Sequence, residues 1–139
     1  MDYGHWTTEI DFEPSEWFGF VYKIIHIQTG RSYIGRKQFN FTNRKRVKGR
    51  KNRKKVIKES DWKTYTGSCN ELNEEITKIG KECYKFVIAK LCKTKRELGY
   101  TETELQIKND VLTSKFPDGN RRYYNSNIMN RWFAEKEQT

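Results

Sequence analysis

Tyr22 and Tyr33 stand eleven residues apart, one in FGFVYKIIHI (18–27) and the other in SYIG (32–35), with Gln28-Thr29-Gly30-Arg31 between them. Both runs are rich in β-branched and aromatic types and Gly30 supplies a turn, so the stretch predicts a β-hairpin. Antiparallel partners on one face lie ~5 Å apart, so two phenolic hydroxyls can meet one ligand; plain cross-strand aromatic packing is the alternative. A phenol of pKa ~10 is a weak base at neutral pH unless a cation or metal lowers it. Carboxylates come from a helix predicted from Lys95 to about Leu112. Leu98, Leu105 and Leu112 repeat every seven residues, and Glu102 sits at the edge of that stripe. Glu104 lies on another face, flanked by Tyr100, Ile107 and Val111, so periodicity leaves open which glutamate points inward.

Other chemistries have no residues to carry them. His5 and His26 match no metal spacing, and no Gly-rich phosphate loop or nucleophile elbow occurs. Acid–base work falls to Tyr, Lys, Arg and carboxylates. Cleaving a phosphodiester needs a metal ligand, a group that handles water, a cation for the developing phosphorane charge and a donor for the leaving group.

The elements that would position these residues form one small domain, since the chain has 139 residues. Aromatics at 14% allow a core despite the low apolar fraction. After the hairpin, Ser68 with Glu71 reads as a capping box for a helix over 68–80, with Leu72, Ile76 and Ile79 as its stripe. YKFVIAKL (84–91) suits a third strand, and Thr94 with Glu97 caps the second helix. The expected fold is α/β in the sense of an α+β sandwich: a three-stranded, mainly antiparallel sheet flanked by helices. Residues 1–17 read as an acidic arm that Trp6, Phe12 and Trp17 could pin down, 18–130 as the domain, and 131–139 as a tail.

The net charge is +10, and it is concentrated. The arm carries −5, residues 59–139 are close to neutral, and RKRVKGRKNRKKVIK (44–58) holds ten basic residues and no acid. Such a block repels itself and is often disordered until it meets a counter-charge. It is expected to contact a phosphate backbone, with a localisation-type or solubilising run as the plainer alternative. If five of its cations neutralise phosphates, log K falls with log salt at a slope near ~−4.5. The arm could fold over this segment and mask it. Three cysteines without a C-x-x-C pair fit a reducing cytoplasm, and no membrane span is expected.

Gly19-Phe20-Val21-Tyr22, then Tyr33-Ile34-Gly35-Arg36-Lys37, resembles the opening hairpin of a GIY-YIG nuclease, with one extra residue in the first half. Glu59-Ser60-Asp61-Trp62-Lys63-Thr64-Tyr65-Thr66-Gly67-Ser68-Cys69 is similar to the segment before the middle helix of phage-encoded, Seg-type free-standing members. Glu97-Leu98-Gly99-Tyr100-Thr101-Glu102 and Arg121-Arg122-Tyr123-Tyr124-Asn125-Ser126-Asn127-Ile128 follow in family order.

The resemblance implies a metal-dependent DNA endonuclease, of homing or genome-competition type. It implies Tyr22 and Tyr33 as the motif tyrosines that position or deprotonate water. Glu102 becomes the ligand of one Mg²⁺ (or Mn²⁺), Asn125 the asparagine that closes the site, and Arg36 a cation near the phosphate. The family's usual arginine falls near Asn43, so Arg44 takes that place, with Arg46 in reserve. Lys37, Arg46, Lys48, Arg50, Lys51, Arg53, Lys54 and Lys55 are the expected DNA contacts. The partner is double-stranded DNA, met by a monomer or weak dimer in the cytoplasm of the cell, a host cell if phage-encoded. With no room for further recognition modules, loose sequence selectivity is expected. The rival readings are a non-catalytic nucleic-acid-binding protein on the same scaffold and a basic structural protein. The near-neutral body speaks against the latter.

Overall fold

The computed structural model describes residues 2–45, 49 and 54–129, with backbone alone at 43–45 and 54–56. Five strands and two helices follow in the order β1 (Gly19–His26), β2 (Ser32–Gln38), β3 (Asn40–Lys45), β4 (Lys54–Glu59), α1 (Asn70–Ile79), β5 (Tyr84–Cys92) and α2 (Lys95–Lys108). A three-stranded antiparallel sheet has the order β2-β1-β5. β3 and β4 form a separate antiparallel ribbon.

β1 is central, so it must be covered on both faces, and its aromatic and branched residues meet that need. Phe20, Tyr22 and Ile24 face one core with Phe39, Trp62, Phe86 and the α1 residues Leu72 and Ile76. Val21 faces a second core with Ile34, Cys92, Val111 and Leu98 of α2. The two helices thus cover opposite faces of one sheet, as an α+β sandwich requires. Among the described residues, no helix is long and apolar enough to cross a membrane.

Both sheet edges are closed by short bridges, Thr7 beside Val87 and Tyr123 beside Ser32. Closing an edge removes a template for unwanted strand pairing. The first bridge corrects the division between an arm at 1–17 and a domain that starts at 18. Trp6 and Phe12 belong to the larger core, and the Trp6 indole donates to the Trp62 carbonyl. Removing this arm removes core, so deletion cannot serve as a clean test of masking.

The basic segment is the second correction. Residues 44 and 45 continue β3, and 54–58 lie in β4, so the run begins and ends in paired strand. Helix ends also differ from expectation. Ser68 does not cap α1: Cys69 is its N-cap, with no side-chain bond. The Ser68 hydroxyl lies 3.4 Å from the Tyr33 hydroxyl, and Glu71 is held by Arg31 at 2.8 Å, so both members of the expected box are engaged elsewhere. Thr94 does cap α2, accepting from the Glu97 amide. α2 stops at Lys108 because the Asn109 amide donates to the Leu105 carbonyl and Asp110 turns at φ +49°. Leu112 is therefore exposed, while Val111 is buried.

Candidate active site

The site lies where β2 forms one edge of the sheet, and a glycine opens it. Tyr22 of β1 pairs with Gly35 of β2, and Tyr33 pairs with Ile24, so both tyrosines project to one face. A Cβ on Gly35 would stand 2.4 Å from the Tyr22 hydroxyl and 3.0 Å from Cε1 of Tyr33. Only a residue without a side chain lets the Tyr22 phenol cross β2 and reach the edge. Gly67, at φ +87°, comes close from the other side: its Cβ would lie 3.1 Å from the same hydroxyl. The sheet register slips between Val21 and Tyr22 on the β5 side, next to the extra residue of the first motif half.

The two rings lie 6.2 Å apart, and Tyr65 meets Tyr22 edge-on at 6.1 Å. Burial raises the Tyr22 hydroxyl well above the usual phenol range, and the neighbouring Tyr33, Tyr65 and Glu102 raise it further. Burial likewise raises Tyr33, although its bond to Ser68 works the other way. Both phenols are therefore neutral hydrogen-bonding groups at neutral pH.

The opposite face supplies the charges. Arg36 alternates with Gly35 along β2 and so points toward α2. There its Nε lies 3.7 Å from Oε1 of Glu102. The Glu102 side chain is 13% exposed and that of Glu104 43%, which decides between the two glutamates. Tyr100 and Ile107, the apolar residues near Glu104, are themselves exposed. Phenols from one face and the ion pair from the other open into one polar cavity of about 640 Å³. Tyr22, Tyr33, Arg36, Glu102, Arg121 and Asn125 all line it.

Asn125 acts on the scaffold. As an edge strand, β2 leaves the outward N–H and C=O of Ile34 without a strand partner. The Asn125 amide meets both: Oδ1 accepts from the Ile34 N–H at 3.1 Å, and Nδ2 donates to its carbonyl at 2.8 Å. Gln106 Nε2 donates to the same carbonyl at 3.0 Å. The peptide between Tyr33 and Gly35 is thus held from three sides, which fixes the two motif residues around it. Sequence reading missed Gln106, because a polar residue on a helix carries no signal of a bond to a distant strand. It also assigned no role to Arg121, which lines the cavity and donates to the Asn125 carbonyl.

The remaining expected residues divide in two. Lys37 is turned inward, bonded to Asp61 at 2.7 Å and placed 3.9 Å over the Tyr65 ring, so it is not a ready phosphate contact. Arg44 lies in β3, and Lys54 and Lys55 in β4, where only backbone is described. Arg46, Lys48, Arg50, Lys51 and Arg53 lie outside the described residues. No cluster of three or more His, Cys, Asp or Glu side chains suited to a metal occurs among the described residues. Glu102 is the cavity carboxylate that a hard cation could use; Glu71, also on its wall, is bound by Arg31.

No curated protein and no solved structure is similar enough to match the chain. A family model described as "Putative endonuclease segE, GIY-YIG domain" matches residues 5–128, almost the whole chain, and it includes every element above. By that match the chain belongs to the Seg-type GIY-YIG endonuclease family.

Proposed function

We propose that the chain is a divalent-metal-dependent endodeoxyribonuclease that hydrolyses phosphodiester bonds, acting as a free-standing homing or genome-competition nuclease. The observation that carries this reading is the convergence at the β2 edge: two neutral phenols and a carboxylate–guanidinium pair share one polar cavity. The donor set fits Mg²⁺ or Mn²⁺, which takes one or two carboxylates and completes its shell with water and phosphate oxygens. Glu102 would hold that ion, and the ion would supply charge stabilisation at the phosphate.

The chain's own groups divide the rest of the work. Tyr22 and Tyr33, whose phenols burial keeps protonated in the free protein, are placed to position the attacking water by hydrogen bonding. Arg36 stands beside Glu102 and is part-exposed, so its guanidinium can face charge building on the equatorial phosphate oxygens. Arg121 is a second cation on the same wall. Asn125 and Gln106 keep the Tyr33–Gly35 segment in place. The basic residues of 44–58 hold double-stranded DNA against the cavity by phosphate contacts, with the protein acting as a monomer or weak dimer.

The test is cleavage of supercoiled plasmid with and without Mg²⁺. Glu102→Ala should slow the wild-type rate by on the order of 10³-fold while leaving DNA binding in place. Cleavage by Glu102→Ala at the wild-type rate would overturn the assignment. Binding without any cleavage by the wild-type chain would favour a non-catalytic nucleic-acid-binding protein.

A further inference from the structure

The ribbon of β3 and β4 has a shape and register that phosphate binding alone does not require. Its pairs run from Asn40–Glu59 through Thr42–Ile57 to Arg44–Lys55 and Lys45–Lys54. The last two set cation opposite cation, which is destabilising unless counter-charge intervenes. An isolated two-stranded ribbon is marginal in water in any case. The described residues Asn40, Phe41, Thr42, Ile57, Lys58 and Glu59 are all exposed, so the protein body covers neither face there. Ile57 is 66% exposed, an apolar side chain offered to solvent beside a concentration of positive charge.

The base of the ribbon is firmly set. Phe39, which separates β2 from β3, is 1% exposed and meets the buried Trp62 edge-on at 4.9 Å. Ser60, just after β4, donates to the carbonyls of Phe39 and Gln38. Cross-strand partners share a face, and successive pairs alternate. Lys37 lies 5.5 Å over the Phe41 ring on one face; on the other, Glu59 at the base accepts from Trp62 Nε1 at 3.1 Å, and beyond it Thr42 and Ile57 are exposed.

We propose that this ribbon enters the major groove of duplex DNA with its Thr42–Ile57 face toward the base edges, and that it gives the chain a sequence preference. A major groove ~12 Å wide admits a two-stranded ribbon, whereas a minor groove ~6 Å wide does not. Phosphates lining both sides of the groove supply counter-charge for the ten basic residues of 44–58. Thr42 and Ile57 present apolar surface suited to the thymine methyl group, which projects only into the major groove. The inference rests on the endonuclease reading for its partner, and it replaces the loose selectivity expected from the sequence.

The test is selection of bound duplexes from a randomised pool by the full chain without metal, followed by sequencing and N7-methylation interference. The selected pool should share a short motif, and guanine N7 methylation within it should weaken binding. Thr42→Ala with Ile57→Ser should reduce discrimination on the order of 10-fold while the salt dependence of binding stays as it was. A pool without a motif overturns the proposal. So does unchanged selectivity in that variant, or competition by a minor-groove ligand with no effect of N7 methylation. The two readings separate cleanly: selective binding without Mg²⁺-dependent cleavage sinks only the nuclease, and cleavage without preference sinks only the groove-reading ribbon.

Discussion

Two antiparallel strand pairs follow each other along the chain and differ in almost every physical respect. The β1–β2 pair is buried, aromatic and closed at its outer edge. The β3–β4 pair is cationic, and its described residues are exposed on both faces. Burial makes the first a rigid mount for reactive groups, because Tyr22 is 1% exposed within the larger core. Exposure leaves the second without a hydrophobic reason to persist, so its stability depends on what it binds. Fixed geometry suits bond cleavage, and concentrated charge suits capture.

The comparison can be broken by spoiling the rigid pair. Gly35→Ala forces a methyl group against the Tyr22 hydroxyl, and misplacement of about 1 Å can cost on the order of 10²-fold in rate. The same overpacking should lower stability by about 1–3 kcal/mol, visible in urea melts. On the proposal that the ribbon holds DNA, affinity should barely change.

Tyr22→Phe keeps the packing and removes only the hydroxyl, so cleavage should slow by about 10–10²-fold. With the phenol neutral, wild type and variant should share one pH–rate profile between about pH 6 and 9. An activity limb lost in the variant would make Tyr22 a base. Its raised pKa has a stability consequence too: as pH rises past ~10, the unfolded chain ionises first and the fold weakens.

The ribbon is probed by salt. Replacing Arg44, Lys45, Lys54, Lys55 and Lys58 with Ser should make the slope of log K against log salt shallower than ~−4.5. Cleavage of pre-bound DNA at low salt should persist, and an unchanged slope would put the DNA elsewhere.

The smallest effect belongs to the support of the rigid pair. His5 stacks on Phe86 at 4.0 Å, and burial, with Lys81 nearby, lowers its pKa to about 4. The unfolded chain takes up this proton near pH ~6.5 and the folded chain does not, so stability is full above that pH and falls below it. Between pH 6.5 and 4 the loss should be roughly 2 kcal/mol, allowing for partial solvent access. His5→Phe should flatten that acid limb.

The hairpin was legible because strand alternation and a Gly-containing turn are local signals, and they placed Tyr22 and Tyr33 on one face. Glu102 needed the resemblance: Thr101 and Gln106 are buried polar residues on α2, so its inward face does not read as a leucine stripe. Asn125 was named as closing the site, but its bonds to a peptide 91 residues earlier have no local signature. The sequence marks 44–58 as a self-repelling, phosphate-contacting run and not as paired strand, because strand pairing of like charges goes against local rules. Ser68 looked like a cap for the same local reason, and Tyr33 lay too far along the chain to be seen as its competitor.

One residue, Phe39, separates the strand bearing Tyr33 and Arg36 from the ribbon. The chain bends at Phe39, so Arg36 and Asn40 stand at a set interval on either side of it. Because Phe39 is locked in the core, the interval cannot stretch. A ribbon that reads bases from this mount should place the cut at a constant offset, to one side of the bases it meets.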